Sequence, residues 1–187
     1  MIVLSNVSKS YGERPVLTDF SAEFPAGVTV IMGPSGRGKT TLLRLMMGLE
    51  SPDSGAISGL PERLAAVFQE DRLPMDFRAA ECVLMTADRD VSRKKAEEEL
   101  TRLGLGAELG KPVRELSGGQ RRRVAAVRAV LARPDALFLD EAFTGLDDAI
   151  KKTTADYILE NTAGKIVVAV THDADEAALL GGKILNI

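Results

Sequence analysis

Val28-Thr29-Val30-Ile31-Met32-Gly33-Pro34-Ser35-Gly36-Arg37-Gly38-Lys39-Thr40-Thr41-Leu42-Leu43 is the stretch that decides the fold. Val28–Met32 is a short β-branched run, the pattern of a strand buried on both faces of a sheet. Gly33–Thr40 matches G-x-x-x-x-G-K-[ST] throughout, and the residues from Thr40 to Leu49 place apolar side chains at helical spacing. Strand, glycine loop and helix in that order make a phosphate cradle. The glycines let successive N–H groups curl around phosphate oxygens, and the helix adds its positive N-terminal end. In such a loop Lys39 brings a point charge to the β- and γ-phosphates, and the Thr40 hydroxyl is an oxygen ligand for Mg²⁺. An ordinary glycine turn has no need of the full octapeptide between a strand and a helix. The stretch therefore predicts a nucleoside triphosphate site.

Working outward, Met1–Val7 reads as a strand, Ser8–Pro15 as a polar turn carrying Tyr11-Gly12, and Val16–Phe24 as a strand of alternating polarity. Ser51–Gly59 is rich in turn residues, and Leu64–Phe68 is a short apolar strand ending at Gln69. From Asp76 to Leu116 the chain reads as mainly helical, with Ser92 placed to cap a helix over Ser92–Leu103. Within it Arg93-Lys94-Lys95 and Glu97-Glu98-Glu99 stand four apart and predict a solvated, ion-paired face. Gln120–Ala132 is strongly helical, Ala136–Leu139 a strand, Asp148–Glu160 a helix, Lys165–Val170 a buried strand and Ile184–Ile187 a last strand. Strands alternating with helices predict an α/β fold with a mainly parallel sheet. The whole of 1–187 reads as one domain, with a helical subdomain over about 76–133.

Composition narrows the function. The 187 residues carry 24 Lys and Arg against 27 Asp and Glu, a formal charge of −3, which does not suit a general nucleic-acid binder. Aromatic residues are 4% and Trp is absent, which argues against base-stacking platforms. One cysteine, Cys82, and one histidine, His172, exclude disulfide frameworks and multi-histidine metal centres. Cys82 reads as a small core residue. No apolar run approaches the ~20 residues of a membrane span, and Met1 opens directly into a strand, so a cytosolic protein without a signal peptide is expected.

Phosphoryl chemistry on such a loop needs a carboxylate for Mg²⁺ and a group to handle the attacking water. Ala136-Leu137-Phe138-Leu139-Asp140-Glu141 offers both at a strand end. Taken alone, the acidic pair could cap the following turn; with the phosphate loop upstream we read Asp140 as the metal ligand and Glu141 as the general base. In a parallel sheet the carboxyl ends of the strands share one edge, so Asp140 faces Lys39. His172 follows the strand Val167–Val170 at that edge, where it can reach the γ-phosphate.

Leu116-Ser117-Gly118-Gly119-Gln120, followed by Arg121-Arg122-Arg123, completes a set of motifs that resembles the nucleotide-binding subunit of ABC transporters over nearly the whole chain. The resemblance implies a P-loop NTPase core with a mainly parallel sheet, a small antiparallel β subdomain and an inserted helical subdomain. It implies ATP and Mg²⁺ as cofactors, with Gly33, Pro34, Ser35, Gly36, Arg37, Gly38, Lys39, Thr40 and Thr41 around the phosphates. Tyr11 looks like the aromatic residue that stacks on adenine, though it could be a turn aromatic packed on the sheet. Gln69 looks like the glutamine that contacts Mg²⁺ or the attacking water, though it could be a polar strand end. Thr40, Gln69 and Asp140 are the implied metal set, and Glu141, His172 and Gln69 the implied catalytic set. Ser117, Gly118, Gly119 and Gln120 look like the signature motif, Thr144-Gly145-Leu146-Asp147 is similar to the D-loop, and His172 to the switch histidine.

A serine and two glycines opening a helix form a second anion cradle, yet the phosphate loop already surrounds the phosphates of its own chain. Two chains head to tail place each signature over the other's γ-phosphate, so a homodimer or paired cassette is expected. An integral membrane transporter subunit is the expected partner, docking on about Asp71–Met85, with the cassette peripheral on the inner face of the membrane and out of contact with the solute. Gln69-Glu70-Asp71-Arg72-Leu73 is similar to importers for nitrate, sulfonate and related oxyanions. The short interval from Lys39 to Gln69 predicts a trimmed antiparallel subdomain, and the end at Ile187 a cassette pared to its ATP-handling parts, without a regulatory domain. Helical surface charge is the expected role of Arg121 and Arg122. The alternative to a transporter subunit is a soluble non-transport ABC ATPase, but tandem cassettes, coiled-coil insertions and basic arms are missing from the sequence.

Overall fold

The computed structural model describes residues 1–70 and 72–187. Among these described residues, eight strands and six α-helices follow one another as β1 (Ile2–Tyr11), β2 (Arg14–Phe24), β3 (Gly27–Met32), α1 (Lys39–Met46), β4 (Ser54–Ser58), β5 (Leu64–Val67), α2 (Ala79–Leu84), α3 (Arg93–Arg102), α4 (Gly118–Leu131), β6 (Ala136–Asp140), α5 (Asp148–Asn161), β7 (Ile166–Val170), α6 (Ala174–Leu180) and β8 (Lys183–Asn186). Five strands form a sheet in the order β5-β6-β7-β3-β8, every neighbouring pair parallel. Three form an antiparallel sheet in the order β2-β1-β4.

The parallel sheet explains its own sequence. On β6, Ala136 and Phe138 face a core shared with the antiparallel sheet and α1, while Leu137 and Leu139 face a second core under α4 and α5. Ile166, Val168 and Val170 of β7 point to the first core, and Val167 and Ala169 to the second. Side chains alternate along a strand, so a sheet covered on both faces requires an unbroken apolar run. The α/β architecture with a parallel core, an antiparallel sheet and helices inserted between β5 and β6 is the one expected.

The local reading needs three corrections. The turn placed at Ser8–Pro15 shrinks to Gly12-Glu13, because β1 runs on to Tyr11 and β2 starts at Arg14. The long pairing is broken by register shifts between Leu4 and Val7, Val7 and Lys9, and Lys9 and Ser10. Such bulges bend and twist a strand and spoil its simple alternation. Ser54–Ser58, read as turn, is strand β4, completed by hydrogen bonds to β1 rather than by apolar side chains. After α3 the stretch to Leu116 is not a regular helix; it holds two 3₁₀ turns, Gly106–Glu108 and Val113–Glu115.

Ser92 caps α3 by accepting from the Lys95 N–H at 3.2 Å, and the three i,i+4 pairs Arg93–Glu97, Lys94–Glu98 and Lys95–Glu99 all form. Glu99 is nonetheless buried, because α3 turns that residue toward Tyr157 of α5. Cys82 is fully buried on α2, and burial pushes its thiol pKa up. No helix among the described residues is long and apolar enough to cross a membrane.

Candidate functional site

Parallel pairing sets Ile31 beside Val170, Val170 beside Asp140 and Leu139 beside Val67, so four strands end at one edge. The loops that leave this edge carry the glycine octapeptide, Gln69, Glu141 and His172. A cavity of about 470 Å³ opens there, lined by Tyr11, Arg14, Val16, Ser35, Gly36, Gly38, Lys39, Thr40, Thr41, Gln69, Glu141 and His172.

Gly38 precedes α1 with φ 89°, a conformation that strains any residue with a Cβ. A Cβ there would also stand 2.7 Å from Val16 Cγ1, so glycine lets β2 press directly on the loop. Lys39 is buried, and its Nζ donates to the carbonyls of Gly33 at 2.7 Å and Pro34 at 2.9 Å. The ammonium is thus held by its own loop at the cavity wall. The first N–H groups of α1 have no helical acceptor and are free for an anion.

Behind the loop, the Thr40 hydroxyl donates to Asp140 Oδ1 at 3.2 Å. Asp140 is 5% exposed. Burial pushes its carboxyl pKa up, the Thr40 hydrogen bond pulls it back, and the neighbouring Glu141 charge pushes it up again. Glu141 sits at φ 48°, in the left-handed region. A non-glycine residue held there costs about 1–3 kcal/mol, and such residues cluster at functional sites. The conformation is fixed by the Glu141 N–H, which donates to the Val170 carbonyl at 3.0 Å. It turns the side chain into the cavity, where Glu141 Oε2 accepts from Gln69 Nε2 at 3.4 Å and Oε1 lies 3.2 Å from His172 Nδ1. Glu141, Gln69 and His172 come from three loops and meet at one carboxylate.

Tyr11 stands across the cavity at the tip of the β1–β2 hairpin, its hydroxyl donating to Glu50. Ser117–Gln120 is not part of this cavity. Ser117 Oγ accepts from the Gln120 N–H at 3.2 Å and Gln120 Oε1 from the Ser117 N–H at 2.7 Å, a reciprocal cap on α4. Gln120 Nε2 also reaches Glu108 Oε1 at 3.2 Å. The signature therefore folds as a capped helix start beside the 144–147 turn: a Cβ on Gly119 would lie 3.1 Å from Leu146 Cδ2. Gly33, Pro34 and Arg37 belong to the loop but do not line the cavity.

One expectation is overturned. Arg122 is not surface charge: it is buried, and its guanidinium donates to the carbonyls of Phe68 at 2.7 Å and Gln69 at 2.8 Å. Arg121 likewise donates to the Leu116 carbonyl at 2.7 Å, tying the start of α4 to its own signature. Arg14, Val16 and Glu50 were missed by the sequence reading. The period-2 face of β2 could have revealed Arg14 and Val16, whereas nothing in the sequence pointed to Glu50. Asp71, the first residue of the expected docking segment, lies outside the described residues.

Residues 17–144 match the family model described as ABC transporter. The chain is 38% identical to an aliphatic sulfonates import ATP-binding protein of Rhodococcus jostii, over 98% of this chain and 70% of that protein. Its fold is similar to the dimeric structure of a bacterial ABC transporter cassette, with TM-score 0.88 and 29% identity over 100% of this chain and 94% of that one. A post-hydrolysis cassette bound to ADP and Pi is similar at TM-score 0.86 and 28% identity, again over 100% and 94% of the two chains.

Proposed function

This chain belongs to the ABC transporter family, and from that premise we propose how its residues share the work. It is an ATP-binding, ATP-hydrolysing subunit that powers transport, and the observation that carries the mechanism is the meeting of Glu141, Gln69 and His172 at the end of the parallel sheet. Tyr11 stacks on adenine, and Gly33–Thr41 with Lys39 hold the phosphates. Glu141 accepts the proton of the attacking water as the water oxygen bonds to the γ-phosphorus, and the bond to the ADP oxygen breaks with its electron pair leaving on ADP. His172 and Gln69 hold the Glu141 carboxylate in line, and His172 reaches the γ-phosphate.

Mg²⁺ fits the donors present. Thr40, Asp140 and Gln69 supply oxygens, and no cluster of three or more His, Cys, Asp or Glu is found among the described residues. A sparse protein shell completed by phosphate oxygens and water is how Mg²⁺ is usually bound beside nucleotides. When bound it neutralises charge on the phosphates that leave and transfer.

Residues 1–187 act as one nucleotide-binding domain, with the helices of about 76–133 as a subdomain. Ser117, Gly118 and Gly119 complete the site of a second cassette, in a homodimer or a paired one. An integral membrane subunit docks near the segment after Gln69, where Met75, Phe77 and Met85 are exposed. The cassette then lies peripherally on the cytoplasmic face, without contact with solute or nucleic acid. The sulfonate-import relatives support an oxyanion-type solute. Glu141→Gln keeps the shape of the site and removes the base. We expect it to accumulate an ATP-dependent dimer on size-exclusion chromatography while hydrolysis falls at least 100-fold. A variant that hydrolyses ATP at the wild-type rate would overturn the role given to Glu141.

A further inference from the structure

Tyr11 and Arg14 are directly paired across the hairpin turn Gly12-Glu13. Directly opposed residues in antiparallel strands project to the same face of the ribbon. Arg14 and Val16 also share that face, being two apart on β2. The loop below is met by each in turn. Val16 presses on Gly38, and an Arg14 Nη2 stands 3.6 Å from the place a Gly36 Cβ would occupy. The hairpin therefore presents a ring and a guanidinium side by side, the guanidinium over the apex of the phosphate cradle. Among the described residues Arg14 has no ion pair or side-chain hydrogen bond. Lys39, by contrast, is already bonded to two loop carbonyls.

We propose that Arg14 is a polyphosphate-binding residue of this chain, closing the cradle at Gly36 and acting on the phosphate tail rather than on the nucleoside. The proposal rests on the reading of the cavity as an ATP site. Guanidinium groups suit phosphate because their planar N–H fork matches two of its oxygens, and the strand pairing fixes where that fork is carried. Tyr11 and Arg14 then divide the ligand between them, base to one and phosphates to the other.

The two contributions separate when equilibrium binding is measured with Mg-ATP and with inorganic tripolyphosphate plus Mg²⁺, which has phosphates and no nucleoside. Arg14→Ala should weaken both ligands by a similar factor of about tenfold, the loss of one hydrogen-bonded charge. Arg14→Lys, which keeps the charge and loses the fork, should fall between. Tyr11→Ala should weaken ATP and leave tripolyphosphate unchanged. An Arg14→Ala protein that loses ATP affinity but keeps that for tripolyphosphate would overturn the proposal, as would one that loses neither. Wild-type protein that binds neither ligand would remove the ATP-site reading itself, and the proposal with it. Arg14 is exposed at a hairpin tip, so its replacement leaves the fold intact.

Discussion

Asp140 and Glu141 are neighbours with opposite surroundings. Asp140 ends β6 in extended backbone, almost wholly buried, its charge opposed by desolvation and only partly offset by the Thr40 hydroxyl and the more distant Lys39 and Arg44. Glu141 turns through the left-handed region into the cavity. A buried carboxylate without a full partner costs stability, which proteins accept where function requires it. Asp140→Asn keeps an oxygen for Thr40 and removes the charge. Without nucleotide it should melt higher than wild type, by about 2–4 °C for each ~1 kcal/mol recovered in a domain of this size, while ATP hydrolysis is lost; calorimetry and a phosphate-release assay check the two halves. A lower melting temperature would mean that the Asp140 charge stabilises the empty site. Both acids could be read from Ala136–Glu141, because an apolar run ending in carboxylates fixes their place at a strand end. The left-handed turn at Glu141 could not: it is imposed by the Val170 carbonyl of another strand, and no property of glutamate announces it.

At the scale of elements, α4 shows how a run of like charges misleads. Successive helical residues turn by about 100°, so Arg121, Arg122 and Arg123 cannot share one face. Arg122 is carried inward to the end of β5, Arg121 back to the helix start, and Arg123 to the Leu103 carbonyl at 2.7 Å. The helix thereby grips the loop that holds Gln69. Arg122→Met keeps the volume but leaves the Phe68 and Gln69 carbonyls without their charged donor. We expect a loss of about 2–4 kcal/mol in chemical denaturation, since a bond to a charged group is worth ~1.5–3 kcal/mol and stranded buried acceptors add a penalty. Hydrolysis should suffer more than ATP binding, because the Gln69 backbone loses its anchor while the glycine loop does not. Unchanged denaturation would show that the Arg122 contacts contribute little. Strand β4 was hidden for a related reason: Ser54–Ser58 has little apolar character of its own and is strand because β1 pairs with it. The helices, the phosphate loop and the parallel strands were legible because each is written in its own period or motif. What escaped notice was set by a partner distant in sequence.

For the whole molecule, the decisive relation is between two places that do not meet. The cavity at the sheet edge lacks Ser117, Gly118 and Gly119, which open α4 elsewhere. Preorganised donors aimed at developing charge can be worth ~3–4 kcal/mol each, so a cassette that borrows them from a second chain should hydrolyse slowly when dilute. Specific activity is expected to climb with protein concentration through the dimerisation range and level off above it; a value constant down to nanomolar protein would contradict the shared site. The two tyrosines have a practical side as well. The chain has no Trp and two Tyr. Tyr157 is 1% exposed in the core, and Tyr11 is 47% exposed at the cavity. Ultraviolet emission therefore comes from one phenol sealed from solvent and one standing where a purine would land. On the proposed stacking of Tyr11, occupancy should dim only the second, giving the protein an optical gauge of its own nucleotide state with no dye attached.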